Sequence, residues 1–465
     1  MTPQIVSGAD LIRLGFKPGP WFKTALAEIN AAPFDETLVM AICERLAPPP
    51  ERALHAEPAR YSVNLEAETA LERNQLDALK VYFDALMRTP TLVAGALMPD
   101  ACEAGHVGTI PVGGVAVAEG AIHPGMHSSD ICCSLFVSRV DGVDPADLLN
   151  AMHKVTHFGP GGRTDGRFTL PTDLLHRMKA NAFLNDSRIL TAAQAHLGTA
   201  GDGNHFQSVG IMGDAATIVS HHGSRGVGAL LFKLGMRVAE HCRLHVSPET
   251  LPVNAWIPAE SGDGEAYWEA LQIVRDWTKL NHQVLHDAAI EALGGKVSDR
   301  FWNEHNFVFR KDNLFFHAKG ATPVDVSFLP DTDGRMIVPF NLAEPIAIVR
   351  GETGPSNLGF APHGAGRHLS RRRHKQNRLV NGLSEAMIFD QETAGIDMRF
   401  FSNRIDVTEL PSAYKPAGRI LSAMEQFKLA HVVDWVQPYG SIMAGDWEAD
   451  APWRRNKHSL DVSES

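Results

Sequence analysis

The apolar positions of this chain fall into a few segments of clear period, separated by turn-rich stretches. Over residues 74–88, Leu76, Leu79, Phe83 and Leu86 recur at three- and four-residue spacing, which predicts a helix with one buried face. A longer helix is predicted over 265–293, where Tyr267, Leu271, Val274, Leu285 and Ala288 recur at near-helical spacing and Gly294-Gly295 supplies the stop. Short runs of β-type residues predict strands at 134–140, 217–220, 307–309 and 346–349. The strand at 217–220 delivers His221 into a Gly-rich turn, and a helix over 228–242 is expected to begin over that turn, its amides suited to an anion. Residues 108–129 (GTIPVGGVAVAEGAIHPGMHSS) are rich in Gly, Pro and small apolar residues, as short strands and tight turns require. Pro48-Pro49-Pro50 marks a loop near the end of a small N-terminal addition, residues 1–60; a main domain spans 61–445, and the polar tail from 446 to 465 is expected to be disordered. Mixed strands and helices with functional loops between them predict a large α/β (α+β) domain, with mixed sheets, surrounding helices and a site built from loops.

Composition narrows the class. With 44% hydrophobic residues in 465, the chain can bury a substantial core. It shows no basic-then-apolar leader at its start and no apolar run near the ~18–20 residues of a membrane span, so a soluble cytoplasmic protein is expected, without membrane contact. Its five cysteines, Cys43, Cys102, Cys132, Cys133 and Cys242, imply no disulfide framework, and reduced thiols fit that setting. The net charge of −11 argues against a general polyanion binder. One stretch, Arg367-His368-Leu369-Ser370-Arg371-Arg372-Arg373-His374-Lys375, is strongly basic. A bare basic run is as readily a solvated helix face. This one begins inside a histidine motif, which favours local phosphate recognition.

The chemistry lies in punctuated histidine motifs: Gly203-Asn204-His205, His221-His222-Gly223-Ser224-Arg225-Gly226, Glu304-His305-Asn306 and His363-Gly364-Ala365-Gly366-Arg367, with Asp130-Ile131-Cys132-Cys133 upstream. Core histidines do not need Gly on one side and Arg or Ser on the other; ligands and nucleophiles often do, because backbone must bring phosphates close to them. Asp130 and Cys133, three apart, can touch one ion or two adjacent ions with the sulfur bridging. Cys132 is assigned the bland role of a small buried hydrophobe. At His205 an amide and an imidazole can both face a ligand. His221 heads a turn that resembles an anion site with Arg225 as clamp, and His222 has a supporting role. His305-Asn306 is the least specific motif, and taken alone His305 reads better as a satisfied core histidine than as a ligand. His363 could be a ligand, a general acid or a nucleophile toward phosphorus; Gly364 and Gly366 permit close approach, and Arg367 and Arg371 share a side if that segment is helical. Lys319 adds another possible phosphate contact.

The order DxxC, GxGNHF, HxGSRGxG, HN, KGAT and HGAGRxxSR resembles the RtcB-type RNA ligase family over roughly residues 97–445, supported by Pro99-Asp100, the PVGGV segment at 111–115 and Ala413-Tyr414-Lys415. The resemblance implies the family's own fold and a Mn²⁺-dependent enzyme. It would use GTP, or another nucleoside triphosphate, to join RNA ends bearing a 2′,3′-cyclic phosphate or 3′-phosphate to 5′-hydroxyl ends. It implies that Asp130, Cys133, His205, His221 and His305 hold two Mn²⁺ ions, that His363 takes the nucleotide, and that Asn204, Arg225, Gly364, Ala365, Gly366, Arg367, Arg371 and Tyr414 contact nucleotide or RNA phosphates. An archease-like activator is a possible partner. Two rival readings are a dinuclear-metal phosphohydrolase and a non-catalytic binder of RNA ends; retention of His363 speaks against both. The departures concern base recognition. Ser208 stands where the family has a guanine-reading Glu, Ala444-Gly445 where it has Lys-Gly, and Phe340-Asn341-Leu342-Ala343 where it has GSMG. DxGCGM becomes DICCSL, and His282 replaces the Arg after Asn281. A divergent paralogue with relaxed or changed guanine selectivity is expected.

Overall fold

Strands that alternate in direction put opposite chain ends at one sheet edge, and that rule organises this molecule. The computed structural model describes residues 5–46, 51–329, 331–380 and 383–446; the triple-proline loop and the polar tail beyond Asp446 lie outside the described residues. The larger sheet has eight strands. Seven run in the order Met336–Val338, Ile346–Gly351, Ala430–Met443, Phe206–Met212, Ala215–His222, Ser134–Asp141 and Lys296–Glu304, all antiparallel; Asp397–Phe400 adds in parallel to Ala430–Met443. A five-stranded sheet runs Tyr61–Val63, Leu92–Cys102, Val112–Glu119, Leu314–Lys319 and Asn306–Lys311. One residue, His305, separates Glu304 in the first sheet from Asn306 in the second. The seam between the sheets is therefore where that histidine must lie.

The larger sheet is buried on both faces, so its strands read as near-continuous apolar runs. Leu135, Val137, Val219, Ile348 and Val436 face one core, with Ile388 and Leu410 packed over them. Val140, Val209 and Ile218 face the other, under Leu148, Leu149, Leu285 and Ala289 of the helices Pro145–Val155 and Gly262–Glu291. The long helix is capped by Ser261, whose hydroxyl accepts from the Gly264 amide at 3.0 Å, and Gly294, at φ +64°, ends it. The predicted 74–88 helix spans Ala70–Met87, started four residues earlier by a Thr69/Glu72 capping box. It covers the five-stranded sheet through Leu79, Phe83 and Leu86.

Two expectations need correction. The helix expected from 228 spans Arg225–Val246. Its first free amide, Gly226 N–H, donates to His196 Nδ1 at 3.0 Å, so a protein side chain occupies the expected anion position. The second concerns Arg367 and Arg371. The helix Arg371–Val380 begins only at Arg371, while Arg367 lies in an isolated bridge with Tyr414. No helix turn sets their relation. The N-terminal helices Gly8–Arg13, Trp21–Ile29 and Glu36–Leu46 bury a small core of their own around Leu11, Ile29 and Cys43. Among the described residues no helix is long and apolar enough to cross a membrane.

Candidate functional site

Four neighbouring strands deliver the first group of side chains. Ser134–Asp141 and Phe206–Met212 start at one edge of the large sheet, where Ala215–His222 and Lys296–Glu304 end. Cys133, His205, His221 and His305 sit at or just beyond those four ends, so antiparallel pairing alone brings them together. The two-residue side-chain period then sorts the histidine pair. His221, opposite Leu135 and Phe206, turns to the cavity. His222 turns to the long helix, stacked on His282 at 3.5 Å between ring centroids, which gives it the supporting place expected of it. Cys132, fully buried in the core, is likewise bland.

The ligand-type atoms converge. Cys133 Sγ lies 3.5 Å from His205 Nε2 and 3.2 Å from His221 Nε2, and His305 Nε2 lies 3.2 Å from His221 Nε2. Asp130 Oδ2 lies 3.0 Å from His205 Nε2. Both histidines flanking the sulfur are oriented from behind: His205 Nδ1–H donates to Ala200 O at 2.8 Å, and His221 Nδ1–H to Asn204 O at 3.1 Å. His221 Nε2 therefore carries a lone pair on the side of the sulfur, while His205 Nε2 lies between the sulfur and the Asp130 carboxylate. Burial, then the charge of His205, lowers His221 to about 3, and burial takes His305 well below its ordinary value, so both rings are neutral near pH 7. Burial, then the Asp130 carboxylate, pushes the Cys133 thiol well above its usual range. For Asp130 burial opposes the charged form, but the hydrogen bond and charge of His205 outweigh it and lower the pKa. The neutral imidazoles of His221 and His305 thus crowd against His205, the Cys133 sulfur and the Asp130 carboxylate. A divalent cation satisfies such a set, and spacings of 3.0–3.5 Å fit donors around ions bound at ~2.0–2.3 Å. Cys133, His205 and His221 could share one ion; His305 and Asp130 extend the set on either side of the sulfur. Gly223 is required here, since a Cβ would stand 2.1 Å from Asp130 Oδ1.

The second group surrounds His363, which directly follows the strand Phe360–Pro362. Its ring lies 4.9 Å from that of His305. Its Nδ1–H donates to Asp100 Oδ2 at 2.6 Å, and its backbone amide to the same oxygen at 3.2 Å. Asp100 is fully buried and its other oxygen, Oδ1, has no hydrogen-bond partner among the described residues. That carboxylate is the residue whose role the sequence motifs did not reveal; it lies 263 positions upstream of its partner. Gly366, at φ +68°, lets the loop pass: a Cβ there would stand 2.2 Å from the Asp100 carbonyl oxygen. Arg367 and Arg371 both pair with Glu409, at 2.7 and 2.6 Å, and the Tyr414 hydroxyl donates to the same carboxylate. Burial works against the Glu409 anion, but the two guanidinium groups hold its pKa below normal. Two arginines on one buried glutamate leave a net positive charge beside His363. Glu409, too, went unmarked by any motif.

One cavity of about 470 Å³ takes in both groups. Asp130, Cys133, Asn204, His221, His305, His363, Gly364, Ala365, Gly366, Arg367, Arg371 and Tyr414 line it, as does Lys319. Its size suits a nucleotide-sized ligand. Arg225 does not line it. Its guanidinium donates to Gly159 O at 2.8 Å and Thr199 Oγ1 at 3.1 Å, behind the ligand cluster, so the expected arginine clamp is not formed. Nor does Ala444, which is buried in the core beside Val209 and Ile442.

A family model described as tRNA-splicing ligase RtcB matches residues 172–444, more than half of the chain. The RNA-splicing ligase RtcB of Mycobacterium bovis is 25% identical over 407 residues, covering 71% of this chain and 93% of the relative. The tRNA-splicing ligase RtcB of Aeropyrum pernix is 24% identical over 426 residues, 74% of this chain and 86% of the relative. The RNA-splicing ligase RtcB of Escherichia coli K12 is 25% identical over 365 residues, 70% and 85%. The chain belongs to the RtcB family.

Proposed function

We propose that this member of the RtcB family is an RNA ligase that joins a 3′-phosphate or 2′,3′-cyclic phosphate end to a 5′-hydroxyl end through a nucleotide carried on His363. The observation that carries the reading is the His363–Asp100 pair. A buried carboxylate on Nδ1–H fixes the tautomer, and Nε2 is left as a nucleophile in a cavity shared with the ligand cluster. Neither a phosphohydrolase nor a simple binder of RNA ends needs that dyad.

The residues act in order. Arg367 and Arg371, with net charge left over from Glu409, hold the phosphates, and the Gly364–Gly366 backbone lets them approach. His363 Nε2 attacks the α-phosphorus of the nucleoside triphosphate; the P–N bond forms, the bond to pyrophosphate breaks and pyrophosphate leaves. Asp100 stabilises the positive charge on the ring. An oxygen of the RNA 3′-phosphate then attacks the same phosphorus, breaking P–N and returning His363 to its neutral form. The 5′-hydroxyl oxygen attacks the RNA 3′-phosphorus, its proton passes to solvent and the nucleoside monophosphate leaves; a cyclic phosphate end is first opened by water, which frees the 2′-hydroxyl and leaves a 3′-phosphate. Asp130, Cys133, His205, His221 and His305 would hold two Mn²⁺ ions, which when bound withdraw charge from the reacting phosphates. A soft thiolate with imidazoles suits Mn²⁺ better than Mg²⁺.

The wider reading follows. Residues 61–445 act as the catalytic unit and 1–60 as an addition with its own small core. The protein works in the cytoplasm, where Cys133 stays reduced, with an archease-like activator as partner.

The test is incubation with Mn²⁺ and each α-labelled nucleoside triphosphate. Acid-labile label on the wild-type protein, absent from His363→Ala while Mn²⁺ binding survives, is expected. Full ligation by His363→Ala would place the nucleophile elsewhere.

A further inference from the structure

Ser208, which stands at the expected place of a base-reading glutamate, Gln207 and Tyr414 are turned from the cavity or already engaged. Ser208 lines the wall, but its hydroxyl is bonded to Ser441 Oγ at 2.8 Å. Gln207 is fully buried and turned to the other face of the sheet, beside Ser220. The Tyr414 hydroxyl is held by Glu409.

The same cavity carries a different carboxylate, on the turn before the strand Ile346–Gly351, which lies two places from the Ser208 strand in the same sheet. Phe340, Asn341, Leu342 and Glu344 all line the cavity. Asn341 Oδ1 accepts from the amides of Ala343 and Glu344, both at 3.0 Å, which fixes this turn. The turn runs into the strand Ile346–Gly351, where Ile346 pairs with Val436. Glu344, two residues earlier, therefore stands near Pro438, which pairs with Gly210 of the strand that carries Ser208. Val436, Pro438 and Gly210 line the cavity at this end and offer no side-chain hydrogen bond. Glu344 is half-buried, and its carboxylate makes no hydrogen bond or ion pair among the described residues. Asp130 belongs to the ligand cluster and Glu409 is neutralised by its arginines. The remaining carboxylate of the lining, Glu103, is exposed on the rim, where a second groove begins. A slot with apolar walls and one unpartnered carboxylate is what a nucleobase with ring donors fits.

We propose that Glu344 is the group that reads the base of the nucleotide, so that recognition has moved from Ser208 to the turn on the other side of the strand Ala430–Met443, with guanine preferred in place of the relaxed selectivity expected from the sequence. The inference rests on the nucleotide-transfer reading above and adds its specificity residue. Guanine presents N1–H and N2–H₂ side by side, matching the two oxygens of a carboxylate. Adenine and cytosine each set one amino group beside a ring acceptor that a carboxylate repels. Uracil has one N–H between two carbonyls. Inosine keeps N1–H and lacks the 2-amino group.

The experiment measures binding of GMP, IMP and AMP to the full-length Mn²⁺-loaded protein by calorimetry, and in parallel competition of GTP, ITP and ATP for labelling of His363. Wild type, Glu344→Gln and Glu344→Ala are compared, with thermal melts to establish folding. We expect GMP ahead of IMP and IMP ahead of AMP in wild type, and a fall in the guanine-to-adenine ratio of tenfold or more in both variants. Glu344→Gln keeps the volume of the side chain and isolates the charge. Equal binding of all three nucleotides by wild type, or an unchanged ratio in Glu344→Gln, would overturn the inference. Labelling that ignores Glu344 would remove the inference and leave the ligase reading intact. Glu344-dependent binding with no label on His363 in any protein would support the base site and remove the ligase reading.

Discussion

The two ends of the cavity follow opposite rules. At the reacting end three histidines are held from behind: Ala200 O on His205, Asn204 O on His221 and the Asp100 carboxylate on His363. At the proposed base end the wall is largely apolar, Glu344 has no side-chain partner among the described residues, and Ser208 and residues 340–343 are where the sequence is expected to depart from the family pattern. The difference teaches where freedom lies. Atoms that must meet at bonding distance tolerate little change, whereas a base can be read from more than one position around a slot as long as its donors meet acceptors.

The comparison can be broken first at the reacting end. Asp100→Asn keeps the shape but offers His363 an amide in place of a carboxylate. The rate of protein labelling is expected to fall on the order of 10²–10⁴-fold with Mn²⁺ affinity unchanged. A variant that labels at the wild-type rate would make Asp100 a structural residue only. Cys133→Ala removes the sulfur common to both sides of the cluster. A loss beyond ~100-fold in Mn²⁺ affinity is expected by calorimetry, since even residues supporting a ligand are worth 10–100-fold; retention of tight binding would show that the ions do not share the sulfur.

At the base end the effects are smaller. In the Glu344→Gln background, Ser208→Glu places a carboxylate on the strand wall and is expected to restore about tenfold preference for GTP over ATP, worth ~1.4 kcal/mol and within the ~1–3 kcal/mol of one buried recognition bond. No recovery would mean that the strand wall no longer faces the base. The smallest effect lies outside the cavity, where Arg275 joins the long helix to Glu304 and, at 3.0 Å, to Asp331; Lys279 also pairs with Asp331. Burial alone would raise Asp331, but the Lys279 hydrogen bond and the Arg275 charge lower it to about 2. A depressed carboxylate stabilises the fold above its unfolded pKa of 3.8 and loses that contribution as pH falls through about 2. Because Asp331 is 38% exposed, screening leaves roughly 0.5 kcal/mol or less. Asp331→Asn should lower Tm slightly and equally at pH 7 and pH 5, with the gap closing below pH 4. A gap that widens in acid would reverse the assigned direction of the shift.

Much of the architecture was legible in the chain. The long helix falls within three residues of its expected start and two of its expected end, and the strands expected at 134–140 and 217–220 exist, each lengthened by sheet pairing that local composition does not encode. The histidine motifs led to the cavity because Gly and Asn beside a histidine record a local backbone need. Arg225 misled for the same reason. Its turn has the composition of an anion site, but whether a guanidinium faces a ligand or a carbonyl depends on what packs behind it, here Gly159 and Thr199.

What the sequence determined by itself was local: period, punctuation and the residue types able to hold a metal or attack phosphorus. Only the tertiary structure decided which of them meet. Antiparallel pairing set Cys133, His205, His221 and His305 at one edge, the two-residue period turned His221 inward and His222 away, and chain closure over 263 positions put Asp100 behind His363. Glu344 shows the same limit at its plainest. In the chain it is one acidic residue before a proline, and it acquires a role only because the strand after it pairs with Val436 and brings it into the slot that Ser208 also lines. Contacts between distant segments depend on packing and register, which no local spacing records.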